Sequence, residues 1–134
     1  MTKQNRLNLI KAIEKKRETK VISYVLSDRP NLSQPILYND VQVIYESLRK
    51  FTKEESKNID LFIYSRGGDS DVPWPIVSIL REMTKNGTFS VLVPYKAHSG
   101  ATVIALGADQ IVLTEKSELG PIDITISKGP YNPI

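Results

Sequence analysis

The sequence predicts an α/β fold with a mainly parallel sheet built from ββα and βα units. Short β-rich runs alternate with stretches of helical periodicity. The chain between successive runs is long enough for a crossover helix, so right-handed βαβ connections follow. One run, Ile59-Asp60-Leu61-Phe62-Ile63-Tyr64, is apolar enough to be a strand buried on both faces.

The elements follow in order. Residues 3–17 read as a helix with Leu7, Ile10 and Ile13 as its apolar stripe. Val21 to Leu26 is a strand, broken by Ser27-Asp28-Arg29-Pro30-Asn31. Asn39 or Asp40 can cap a second helix, in which Val41, Ile44, Leu48 and Phe51 share one side. A charged connection, Thr52 to Asn58, leads to the second strand at 59–64. A third helix follows Ser65 to Asp71. Pro73 and Pro75 fit only in its first turn, and Ile76, Ile79, Leu80 and Met83 face inward. Asn86-Gly87 offers a left-handed stop for that helix. Phe89 to Val93 is the third strand, and Pro94 ends it. Tyr95 to His98 turns into a helix of small residues, 99–107, and 109–114 is the fourth strand.

Residues 1–126 are expected to form a single domain, with 1–18 as a basic N-terminal helix. Glu118 to Asp123 still has the character of ordered chain. Residues 127–134 hold three helix breakers and no periodicity, and read as an irregular tail of an incomplete C-terminal part.

At 134 residues the chain has the size of one domain. It has no cysteine, which excludes a disulfide scaffold, a thiolate metal site and a cysteine nucleophile. Its 40% hydrophobic and 25% charged residues fit a soluble globular protein. No apolar run approaches the roughly 20 residues of a membrane span, and the polar N-terminus has no signal core, so a cytoplasmic location is expected. The net charge of +3 is uneven: residues 1–20 hold seven Lys/Arg against two Glu, a balance of +5, which leaves −2 for the rest. No aromatic or glycine pattern of a nucleic-acid module accompanies it, so a solvated basic helix face is expected and no nucleic-acid partner.

Chemistry is expected at strand ends, where α/β sheets gather their ligands. Strand two ends in Ser65-Arg66-Gly67-Gly68-Asp69, and strand three leads to Ala97-His98-Ser99-Gly100-Ala101. Ser99 lies where the chain turns into a helix, flanked by small residues. A serine there can simply cap the helix. It can also attack a carbonyl while the Gly100 amide holds the oxyanion. A glycine pair after a buried strand can point a second amide at the same anion. Gly67-Gly68 followed some thirty residues later by such a serine is a far more specific pattern than either part alone. Asp69, Ser70 and Asp71 lack the further ligands a metal needs, so helix capping is expected of them and no metal.

The stretch from Ile59 to Asp123 resembles the Clp protease/crotonase superfamily. Within it the chain is most similar to the serine dehydrogenase proteinase family, relatives of signal peptide peptidase A. Four motifs carry the resemblance: Tyr64 to Asp69, Val93 to Thr102, Ala105 to Asp109 and Leu119 to Asp123. It implies a ClpP/crotonase-like fold and peptide-bond hydrolysis through an acyl-enzyme, with no cofactor. Ser99 matches the nucleophile, and Gly68 (with Gly67 as the alternative) and Gly100 match the oxyanion-hole donors. Asp123 matches the acidic member of a triad, although a turn or cap role after Gly120-Pro121 would also suit it. Gly67, Arg66, Asp69 and His98 fall on the implied substrate-binding surface. The resemblance also implies a peptide or protein substrate and a homo-oligomer.

The general base of this family is expected beyond Ile134. His98 is the only histidine, and adjacent side chains point apart at a turn, so packing suits it better than proton abstraction from Ser99. Lys96 is expected to be solvated or salt-bridged, and nothing positions Lys128. A non-catalytic member that binds peptides or assembles with a partner is therefore the alternative to a serine peptidase-type hydrolase. A crotonase-like thioester enzyme is disfavoured, because it needs no nucleophile at position 99.

Overall fold

The computed structural model describes residues 1–123. The proposed tail at 127–134, like Lys128, lies outside the described residues.

Four strands form one parallel sheet: β1 (Lys20–Val25), β2 (Asn58–Tyr64), β3 (Thr88–Val93) and β5 (Gln110–Leu113), in the order β1-β2-β3-β5. Each connection steps in the same direction across the sheet. Right-handed crossovers then put their helices on one face: α2 (Asn39–Leu48), α3 (Pro73–Met83) and α4 (Gly100–Leu106). That face is the core. Ile22 and Tyr24 of β1, Ile59, Leu61 and Ile63 of β2, and Phe89, Val91 and Val93 of β3 alternate into it. They meet Ile44 and Leu48, Ile76 and Leu80, and Ile104 from the three helices. Each such side chain contributes about 1.5–3 kcal/mol on burial.

The opposite face is less uniformly covered. Asp60 and Leu92 are buried there, but Phe62 is half-buried, Ser23 is exposed and Val25 is 55% exposed. The expectation that the second strand is buried on both faces therefore holds only in part. Asp60 tolerates full burial because Arg17 grips it at 2.5 and 3.2 Å and Thr19 donates to it at 2.8 Å.

Several local expectations need correction. Helix α1 (Lys3–Arg17) has the expected bounds; of its apolar stripe Ile10 and Ile13 are half-buried and Leu7 is exposed, and no residue of α1 is buried. It is tied down by polar contacts instead, Arg17 to Asp60 and Glu14 to the Val21 amide at 3.1 Å. Neither Asn39 nor Asp40 caps α2; Tyr38 holds the cap position without a side-chain bond. Asp40 instead accepts from the Leu37 amide and the Tyr24 hydroxyl, at 2.9 and 2.7 Å. Gly87 is not a left-handed stop, since α3 ends at Met83 and Gly67 is the only glycine with positive φ among the described residues. Gly87 is there for space: a Cβ would sit 2.0 Å from the Lys57 carbonyl oxygen. Finally, the turn before Ser99 contains a short strand, β4 (Lys96–Ala97), which pairs in parallel with β6 (Glu118–Leu119) as a second, two-stranded sheet.

Candidate active site

Two loops meet at the carboxyl ends of β2 and β3. Ser65 donates its amide to the Lys96 carbonyl at 3.1 Å and accepts from the His98 amide at 3.0 Å. That parallel bridge fixes the loop after β2 beside the segment leading to Ser99. The Ser65 hydroxyl then accepts from the Gly67 amide at 3.0 Å and turns the chain. Gly67 has φ +99, and a Cβ there would lie 2.7 Å from the Ser99 Cβ and 2.9 Å from the His98 carbonyl oxygen. Both conformation and space demand glycine at this point.

Gly68 is held by Ile36, a residue of the long loop between β1 and α2. The Ile36 amide donates to the Gly67 carbonyl and the Ile36 carbonyl accepts from the Asp69 amide, each at 2.9 Å. This bridge uses the polar groups on either side of Gly68 and none of its own. A Cβ on Gly68 would lie 2.3 Å from the Ile36 nitrogen. Among the described residues the Gly68 amide has no acceptor.

Ser99 has φ 51 and ψ −120, a sparsely populated conformation for a residue with a side chain. Such strain costs on the order of 1–3 kcal/mol and persists only where the surroundings over-determine it. Here the His98 amide is bonded to Ser65, the Ser99 amide to the Pro121 carbonyl at 3.2 Å, and the Ala101 amide to the His98 carbonyl at 3.0 Å. The Ser99 side chain makes no capping bond to α4, which begins at Gly100. The cap role that the sequence left open is thus not taken up. The Gly100 amide also has no acceptor among the described residues.

A cleft of about 430 Å³ opens over these groups. Gly68, Asp69, Ser70, Pro73, Ser99, Gly100, Val103, Ile122 and Asp123 line it. Five residues singled out in the sequence therefore converge: Ser99, Gly68, Gly100, Asp69 and Asp123. The other three do not line the cleft. Arg66 is exposed and is not among the residues that line it. Gly67 is buried behind Ser99 as the close contact between the two loops. His98 turns the other way, with Nε2 3.1 Å from Glu118 and its ring over Gly120. Asp69 does not cap α3; its carboxylate accepts from the Asp71 amide at 2.9 Å and forms a turn leading into the helix.

Lys96 is also engaged elsewhere. Its ammonium lies 3.2 Å from Asp28 and over the stacked rings of Tyr64 and Tyr95. The Asp28 carboxylate holds the Lys96 pKa above the ordinary lysine range, so it stays protonated. The Tyr64 hydroxyl, at 2.8 Å, and Lys96 hold Asp28 below the ordinary carboxylate range. No lysine, arginine or histidine lines the cleft among the described residues.

The sequence pattern of the ClpP-like SDH-type serine proteinases fits residues 1–134. The chain belongs to this family. Two uncharacterized proteins of Methanocaldococcus jannaschii are each 30% identical to it over 131 residues. The match takes in 93% of this chain and 44% of each relative, so the chain spans less than half the length of the curated relatives it matches. A solved ClpP1 variant from Listeria monocytogenes superposes with a TM-score of 0.53 at 18% identity, over 72% of this chain and 51% of that one. That likeness shows the shared ClpP-like fold. No helix among the described residues is long and apolar enough to cross a membrane.

Among the site's residues, sequence reasoning missed Ile36 and Ser65. Ile36 carries little signal, since Leu32 and Leu37 in the same loop are equally apolar in sequence yet exposed, while Ile36 is fully buried. Ser65 stands in the motif after strand two, but the sequence does not show the bonds it makes to Lys96, His98 and Gly67.

Proposed function

We propose that this chain carries the nucleophile and oxyanion hole of a serine peptidase-type hydrolase. The observation that supports it best is the conjunction at one cleft of an uncapped, strained Ser99 with two amides, Gly68 and Gly100, that have no acceptor among the described residues. In the reaction, Ser99 Oγ adds to the peptide carbonyl carbon. The developing oxyanion takes hydrogen bonds from the two amides. The C–N bond then breaks as the leaving nitrogen gains a proton, and water releases the acyl group from Ser99. A preorganised donor of this kind is worth about 2.7–4 kcal/mol of barrier. Asp123 at the cleft wall suits the acidic partner of a base. The base itself comes from outside the described residues or from a second copy in a homo-oligomer, since Lys96 is locked on Asp28 and His98 on Glu118.

The same shortage of a base favours a second reading, a peptide-binding or assembly member that keeps the cleft without turnover. A fluorophosphonate probe separates the two. On the hydrolase reading, the chain is labelled slowly at Ser99, faster as hydroxide rises, and Ser99→Ala abolishes the signal. No Ser99-dependent labelling at any pH would leave only the binding reading.

A further inference from the structure

We propose that the cleft selects peptides with a basic side chain, lysine or arginine, at the residue that donates the attacked carbonyl, and that Asp69 is the residue that determines this specificity. The inference rests on the Ser99 reading of the site and names its substrate class.

Asp69 and Asp123, both exposed, line the cleft, with no cationic side chain among its described lining residues. Asp60 and Asp28, by contrast, are each matched by a cation, Arg17 and Lys96. Neither Asp69 nor Asp123 has an ion-pair partner among the described residues. Asp69 is also held in place. Its amide bonds the Ile36 carbonyl at 2.9 Å, one carboxylate oxygen accepts from the Asp71 amide at 2.9 Å, and it follows Gly68 directly. A Cβ built on Gly100 would lie 3.9 Å from the Asp69 carbonyl oxygen, so the main chain of Asp69 adjoins both proposed oxyanion donors.

Negative charge at that place works against the reaction unless the substrate answers it. The transition state places a new negative charge at the Gly68 and Gly100 amides. A carboxylate on the cleft wall repels it, an effect that salt screens because Asp69 and Asp123 are exposed. A substrate ammonium or guanidinium between the carboxylates removes that repulsion where it is largest, so the gain appears in the transition state and not only in binding. Pro73, Val103 and Ile122 supply apolar wall for the methylene stem of such a side chain. An apolar side chain would instead strip water from carboxylates without replacing its hydrogen bonds.

Peptide aldehydes test this without a general base. The Ser99 hydroxyl adds across the aldehyde C=O, oxygen to carbon and proton to the carbonyl oxygen, with no leaving group. We expect acetyl-Leu-Leu-argininal to bind the chain about tenfold tighter than acetyl-Leu-Leu-norleucinal at low salt, with the ratio shrinking as salt rises. Asp69→Asn keeps the turn's acceptor oxygen and is expected to bring the ratio to about threefold or less. Equal affinities with a Ser99-dependent adduct overturn the specificity and leave the Ser99 reading standing. No adduct with either aldehyde overturns both.

Discussion

The loops around Ser99 and the N-terminal helix are held to the same sheet by opposite means. Around Ser99 the backbones touch. Gly67 has no room for a Cβ beside Ser99, and Gly68 has none beside Ile36. Four main-chain bonds through Ser65 and Ile36 fix the registry between the loops. Helix α1, by contrast, buries no residue and hangs on side-chain bonds from Arg17 and Glu14. Leu9, at 57% exposed, and Val25 border an open apolar groove of about 550 Å³ between α1 and the outer sheet face. Geometry at the candidate site is thus set by close packing, where small changes are costly. The attachment of α1 is set by charge, which tolerates adjustment.

Substitutions should separate the two regions. The largest effect is expected at the glycine pair. Gly67→Ala meets both positive φ and the Ser99 contact, and should cost about 3 kcal/mol or more in denaturant unfolding, with loss of the Ser99 adduct. A cost below about 1 kcal/mol would mean that the loops are not packed as described. Next comes Ile104→Ala, fully buried in α4 behind Ser99, at about 2–5 kcal/mol by the same measurement. Arg17→Ala leaves the Asp60 carboxylate buried with only Thr19, and should cost about 2 kcal/mol, discounted because Arg17 is partly exposed. It should leave the chemistry of Ser99 intact. Leu7→Ala, on the exposed side of α1, should fall within about 0.5 kcal/mol.

The Asp28–Tyr64–Lys96 cluster adds a small pH effect on the site side. Asp28 titrates lower folded than unfolded, so its stabilisation is full above the ordinary aspartate range and fades as pH falls through the lowered folded value. Wild type should therefore lose more stability than Asp28→Asn between neutral pH and strong acid, read as the difference in urea midpoints. Parallel profiles would remove the cluster from the account.

The sheet was legible in the sequence because its strands are unusually apolar and its helices carry a clear inward stripe. All the main strands and helices follow from that period. The glycine pair and Ser99 were legible as a spaced pattern. The wrong expectations share one cause, that local pattern says nothing about what an element packs against. The stripe of α1 is a genuine helical stripe, yet it lies over an open groove with Val21, Val25 and Phe62 of the sheet, so Ile10 and Ile13 are only half-buried. Gly87 looks like a helix stop because glycine often is one, but here it makes room for the Lys57 carbonyl, thirty residues away. Ser99 could have been a cap on sequence alone. Bonds from His98 to Ser65, from Ser99 to Pro121 and from Ala101 to His98 hold it in a conformation in which its hydroxyl makes no capping bond to α4.

The central claim is that Ser99 and the amides of Gly68 and Gly100 form a preorganised oxyanion site within this chain. The most direct measurement is a crystal structure with a peptide boronic acid, which forms a tetrahedral adduct on a serine hydroxyl. The account predicts boron bonded to Ser99 Oγ and one boronate oxygen about 2.7–3.1 Å from both amides, with the surrounding loops unmoved. A boronate oxygen that faces solvent, or a Gly68 amide turned into a bond within its own loop, would contradict it.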